Sequence, residues 1–157
     1  MSIQDIANFF LAVAEKSGEI VTNLKLQKLT YYAQAWHLAN FGEELFPEDF
    51  QAWVHGPVNT ELYHQYKERG YQPIVVAIDV ERSFERVKDK IDFLNAVAEV
   101  YMPFGGYYLE KMTHQEDPWV IARGNISADE RSDVVITKES MMNFYGKKVQ
   151  DKSNKSA

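Results

Sequence analysis

Hydrophobic positions recur along this chain first with a helical period. Ile3, Ile6, Phe10 and Val13 fall at spacings of three and four until Ser17-Gly18, and Ser2 followed by Asp5 resembles a capping box. A first helix is expected near 3–16. Thr22-Asn23 then offers caps for a second helix near 24–41, which Gly42 closes at the position where helices favour a left-handed residue. At 1.5 Å per residue this rod is roughly 27 Å long, about the diameter of a small domain.

Projected at about 100° per residue, Gln27, Thr30, Gln34 and His37 fall in one narrow stripe. Leu24, Leu26, Leu29, Tyr31, Tyr32, Ala33, Ala35, Trp36, Leu38 and Ala39 take most of the remaining circumference. A helix apolar over so much of its surface is packed on several sides, as a central post would be. Lys25 and Lys28 lie inside the apolar arc, flanked in projection by Tyr32 and Trp36. A lysine on a buried face must be paired, snorkel to water or meet a partner, and the pattern leaves all three open.

Past Gly42 the period changes. In FPEDFQAWVHGPV, Phe50, Ala52 and Val54 alternate with Gln51, Trp53 and His55, which suits a short strand or an extended arm. Gly56-Pro57 is expected to end it, because Pro lacks a donor N–H and biases the residue before it away from helix; Asn59 then caps a helix near 60–69 that Gly70 stops. The stretch YQPIVVAIDV, 71–80, is β-prone and suits a strand or an extended connection carrying Pro73. From Phe84, the residues Val87, Ile91, Leu94, Ala98 and Tyr101 trace one helical face to about 102, with Pro103 and Gly105-Gly106 at its end. A shorter helix is expected near 107–113. Asp117-Pro118-Trp119 starts another, cap then Pro at the first helical position, which Gly124 interrupts. Ile136-Thr137 before KESMMNFYG places Ile136 and Met141 for a hydrophobic staple. The closing KKVQDKSNKSA is polar and uncapped. These elements predict a mainly α fold, a compact helical domain (1–146) around a central buried helix with one or two short strands or extended arms, and a disordered polar tail (147–157).

Composition narrows the chemistry. The 157 residues fit one domain, and folding at that size buries roughly 68–70% of the extended chain's surface, enough for a core without staples. There is no Cys, which removes disulfides, thiolate metal sites and a Cys nucleophile. No apolar run approaches the ~20 residues of a membrane span, and the N-terminal stretch suits an amphipathic helix better than a leader. A cytoplasmic protein with no membrane partner is expected. Net charge is −6, and because Lys147, Lys148, Lys152 and Lys155 face only Asp151 near the C-terminus, the body is more acidic than the total. Such a body repels phosphates, so nucleic-acid binding by this chain alone is not expected. The same field would speed encounter with a basic protein, although plain solubility also accounts for it.

His37, His55, His64 and His114 show neither HExxH spacing nor a neighbouring ligand cluster, so no metal is expected. No Walker lysine loop, GxGxxG or GxSxG occurs. His55 could serve as a general base only if a carboxylate and a nucleophile converged on it. No recognisable nucleophile signature is present, and His55 is expected to be a solvent-exposed or hydrogen-bonded loop residue, with a partner contact as the alternative. His114, in THQEDPW, is placed to meet orphan carbonyls at a helix C-terminus or to pair with Asp117.

Three blocks, LKLQKLTYYAQAWHLA, AWVHGPVNTELY and THQEDPW, together resemble the Panacea antitoxin domain family, also described as SocA-like or phage-associated GepA-like proteins. That family carries a KLQKL-Y-AQ-W helix, an AW--GPV---LY joint and an H---PW element in this order, and the resemblance covers about residues 5–145. It implies a mainly helical domain that neutralises a toxin encoded beside it by direct protein contact; one family type acts as an adaptor delivering its toxin to a protease. A non-enzymatic antitoxin with a cognate toxin as partner and no cofactor is therefore expected. The alternatives are a proteolytic adaptor working with a cellular protease and a phage-associated protein-interaction module. On the family pattern Trp36, Trp53, Gly56, Pro57, His114, Asp117, Pro118 and Trp119 are structural motif residues, with Trp53 seated against the central helix and Gly56-Pro57 fixing the exit angle of the joint. Lys25, Lys28 and Tyr32, which set charge beside aromatic surface at one end of the post, form the candidate partner-binding cluster.

Overall fold

Ser2 starts the first helix as its spacing implies. Its hydroxyl accepts the Asp5 N–H at 3.2 Å while the Asp5 carboxylate accepts the Ser2 N–H at 3.0 Å, a complete capping box opening α1 (Ile3–Ser17). The computed structural model describes the backbone of residues 1–156 and the side chains of residues 1–153. Thr22 caps α2 (Asn23–Phe41) by accepting the Lys25 N–H at 3.2 Å, and Gly42 closes it at φ +69°, donating to the Leu38 carbonyl at 2.9 Å. This rod is unbroken and lies at the centre of the core.

The polar stripe of α2 is as buried as its apolar arc: Gln27, Thr30, Gln34 and His37 are each no more than 2% exposed. Hydrogen bonds to passing backbone explain this. Gln34 donates to the Phe46 carbonyl at 2.6 Å and accepts the Leu45 N–H at 2.7 Å; Gln27 accepts the Asn59 N–H at 2.9 Å; the His37 Nδ1 lies 2.7 Å from the Glu43 carbonyl. Each amide satisfies a segment that would otherwise strand a buried polar group, a penalty of about 1–3 kcal/mol.

The segment after α2 forms β1 (Phe50–Trp53) and β2 (Gly56–Val58), an antiparallel hairpin pairing Ala52 with Pro57 and Trp53 with Gly56. The turn is Val54-His55, and Gly56-Pro57 stand inside a strand, where a break was expected. Pro57 is tolerated because β2 is an edge strand, so the absent N–H removes no ladder bond on the far side. Asn59 then caps α3 (Thr60–Tyr66), accepting the Leu62 N–H at 2.9 Å, and a 3-10 turn at Lys67–Arg69 completes the expected 60–69.

Residues 71–79 are an extended connection, tied by an isolated bridge between Thr22 and Pro73. The single helix expected from Phe84 is two: α4 (Val80–Arg86), capped by Asp79, and α5 (Ile91–Tyr101), separated by a 3-10 turn at Lys88–Lys90. Asp79 fixes the earlier start, and the bend lets Val87 enter the core fully. After α6 (Gly106–His114) and α7 (Asp117–Arg123), a strand unforeseen in the sequence, β3 (Val135–Ile136), pairs Ile136 with Phe50 and completes a sheet ordered β2-β1-β3.

The last helix, α8 (Lys138–Ser156), has helical backbone through the segment expected as a disordered tail, 147–157, as far as the backbone is described; Ala157 lies outside the described residues. Gly146 has no left-handed φ and the helix runs through it. α8 packs along α2, with Met141 and Tyr145 buried, and Val149 continues that half-buried face. Around α2 stand α1, α5, α6 and α8, so the fold is mainly α with one small sheet.

Candidate functional site

The residues of the three sequence blocks converge on the β1–β2 hairpin, and what they bind is its backbone. Lys28, wholly buried, donates its Nζ to the Pro57 carbonyl at 3.0 Å. Burial lowers its pKa to about 7 against the opposing pull of the Glu110 carboxylate. Trp119 donates Nε1–H to the Trp53 carbonyl at 2.8 Å, and Arg123 donates to the Ala52 carbonyl at 2.8 Å. The His114 ring stacks on Trp119 at 4.2 Å between centroids and hydrogen-bonds the Val54 carbonyl. The carbonyls of residues 52, 53, 54 and 57 are thus each held by a side chain from α2, α6 or α7.

Gly56 makes this clamp possible. It sits at φ +99°, and a Cβ there would come within 2.7 Å of Lys28 Cε and 2.8 Å of Thr113 Oγ1. Only glycine combines that backbone angle with so close an approach. On the outer side of the turn the exposed His55 places Nδ1 2.7 Å from Glu110 Oε1. The Thr113 hydroxyl nearby is buried and donates to the Glu110 carbonyl at 2.7 Å, a bond within α6. Among the described residues no group of three His, Asp or Glu side chains is gathered closely enough to hold a metal ion.

A second network lies behind the clamp. Glu116 Oε1 accepts from the Tyr32 hydroxyl at 2.6 Å and from the Tyr145 hydroxyl at 2.9 Å. Burial raises the Glu116 pKa, and the two hydroxyl bonds work in the opposite direction by favouring its charged form. Burial and the adjacent carboxylate hold Tyr32 far above the usual phenol range. Tyr32 also stacks on Tyr101 at 4.2 Å and 7° between planes, and the Tyr101 hydroxyl accepts Trp36 Nε1–H at 2.6 Å. Two sets of hydrogen bonds, joined by the Tyr32–Tyr101 stack, therefore link α2, α5, α8 and the Glu116 that precedes α7.

Lys25, Lys28 and Tyr32, expected to meet a partner, do not lie on the surface. Lys25 donates Nζ to the Met102 carbonyl at 2.6 Å, where a cation meets the C-terminal end of α5. Each of the three is drawn inward because a carbonyl or carboxylate of the fold needs it. Trp53 also differs from expectation: its ring packs on Tyr63 of α3 at 4.9 Å, and its Nε1 donates to Gln51. His114 serves the Val54 carbonyl and stacks on Trp119, in place of its own helix end or Asp117. Asp117 is exposed in the first turn of α7, whereas Pro118 and Trp119 are buried and Trp36 is half-buried.

The reading of the sequence missed Arg123, Glu110, Thr113, Glu116, Tyr101 and Tyr145. Arg123 carried a findable signal. It stands four residues after Trp119 on a short helix, and its guanidinium lies 4.9 Å over that ring while also donating to the Ser127 and Glu130 carbonyls.

A family model for the antitoxin SocA-like Panacea domain matches residues 26–120, from the first turn of α2 into α7. The chain belongs to this family. Antitoxin SocA of Caulobacter vibrioides (strain NA1000 / CB15N) is 34% identical over 70 residues, covering 45% of this chain and 37% of that protein. The shared stretch is thus well under two thirds of that relative. No solved structure matches. The Panacea segment holds Lys28, the hairpin, Glu110, Thr113, His114, Glu116 and Trp119, which is the clamp except for Arg123. Membership places the protein in a family of antitoxins, and no helix among the described residues is long and apolar enough to cross a membrane.

Proposed function

We propose that this protein neutralises a cognate toxin, encoded adjacently, by direct protein–protein binding, and that it performs no catalysis. The observation that carries this reading is the clamp: within the family segment, the buried Lys28 and Trp119 and the half-buried His114 all bind the hairpin's own backbone. Groups so engaged shape a rigid body and are not poised toward a substrate. Rigidity favours binding, because a preformed surface loses less conformational entropy when it docks.

Co-expression with the neighbouring gene tests this. The neighbour alone should arrest growth, and the pair should grow and co-purify; growth unaffected by the neighbour alone would sink the proposal. Toxin half-life in the same cells separates occlusion from adaptor action. Occlusion leaves the half-life unchanged or longer, whereas delivery to a protease shortens it. His55→Ala should protect as well as wild type.

A further inference from the structure

The clamp turns inward, so recognition must use a different face, and one face combines exposed apolar side chains with a charge opposite to that of the chain. A groove of about 1060 Å³ runs between α2, α5 and α8. Its apolar lining includes Trp36, Phe41, Phe93, Val97, Val100 and Tyr101. Phe41, packed on Phe93 near the start of α5, is 51% exposed, and Val100, near its end, is 56% exposed, so large apolar side chains are left in water along the length of one groove. Along α5 the lining runs from Asp92 to Tyr101, nine rises of 1.5 Å, or roughly 13 Å and two and a half helical turns.

The rim is basic in a protein of net charge −6. Lys148 and Lys152 line it from α8 against Asp92 from α5, and Lys90 stands over the Phe41 ring at 4.4 Å. We infer that this groove receives one amphipathic α-helix of the toxin, with apolar side chains at helical spacing facing α5 and acidic residues flanking them toward Lys148 and Lys90. Helix-in-groove docking uses such i, i+3, i+4, i+7 anchors, and opposite charge at the rim steers the encounter and fixes the orientation. A second copy of this chain fits less well, since a two-fold interface sets the same lysine-lined rim against itself. The inference rests on the antitoxin reading for the identity of the partner, but the groove itself can be tested without the toxin.

The probe is a fluorescein-labelled 18-residue helical peptide with Leu at the four anchor positions and Glu on both flanks; its control carries Lys in place of Glu. Anisotropy at low salt should show the acidic peptide binding at least tenfold tighter than the control. Val100→Asp should weaken it at least tenfold, and Lys148→Glu should reduce the preference for the acidic peptide. Hydrogen exchange should show protection on α5 and α8. Equal binding of both peptides, protection elsewhere, or indifference to Val100→Asp in a variant of unchanged Tm would overturn the inference. So would sedimentation showing a dimer that Val100→Asp dissolves, because the occupant would then be a second copy. In the co-expression assay, protection undiminished by Val100→Asp rejects the groove and leaves the antitoxin reading standing. A neighbour that is harmless alone rejects that reading, and the peptide result still decides whether the groove takes an acidic helix.

Discussion

Lys28 shows how a residue can stand out in the sequence while its surroundings there stay open. A lysine among apolar positions signals an obligation, and its reach decides how the obligation is met: Nζ arrives at the Pro57 carbonyl. Its pKa falls from 10.5 unfolded to about 7 folded because burial disfavours the charge. The unfolded chain therefore binds more protons between those values, so stability from this group rises with pH from about 7 toward 10.5 and is lost as pH falls through 7. Urea midpoints should climb between pH 7 and 9 in wild type, and Lys28→Met should flatten that climb; equal slopes would remove the buried amine as its cause. A neutral amine still donates N–H, so the clamp persists on the alkaline side. Gly56→Ala meets both a φ of +99° and a 2.7 Å clash with Lys28 Cε. A loss of about 3 kcal/mol is expected from backbone strain and overpacking together, and thermal unfolding of the variant within a degree of wild type would contradict the clamp geometry.

At the scale of elements, caps and hydrophobic period located most helices to within a residue or two. α1, α2 and α3 follow from Ser2, Thr22, Asn59 and the apolar spacing, because these signals act over a single turn. The errors fall where a local signal competed with packing. The polar run after Gly146 suggested a tail, yet α8 continues through Gly146 along α2. Nothing lies within 4 Å of a Cβ built at Gly146, so Gly146→Ala should stabilise the protein by about 0.5–1 kcal/mol through helix propensity. A destabilised variant would mean the helix is interrupted there in solution. Gly56-Pro57 suggested a break for the same kind of reason, and the edge position of β2 absorbed it.

For the whole molecule, α2 is the shared neighbour of α1, α3, α5, α6, α8 and the β2 strand of the hairpin. Its polar stripe satisfies the backbone of 43–46 and 59, its lysines hold Pro57 and Met102, and Tyr32 reaches Glu116. Opening α2 breaks all of these at once. Amides from Leu29 to Leu38 should therefore exchange only by global unfolding, with a single free energy measured by native-state hydrogen exchange; faster, denaturant-independent exchange there would show that the post opens locally. The sequence by itself determined the central rod, its caps, the absence of thiol chemistry and the blocks that carry the family resemblance. These depend on side-chain type and spacing within a few residues. Only the tertiary structure decided that Lys25, Lys28 and Tyr32 face inward, that Arg123 and Glu116 complete the networks, and that an apolar groove with a basic rim lies outside them. Those outcomes depend on which carbonyls and carboxylates arrive from segments 29 to 84 residues away, information that no local spacing contains.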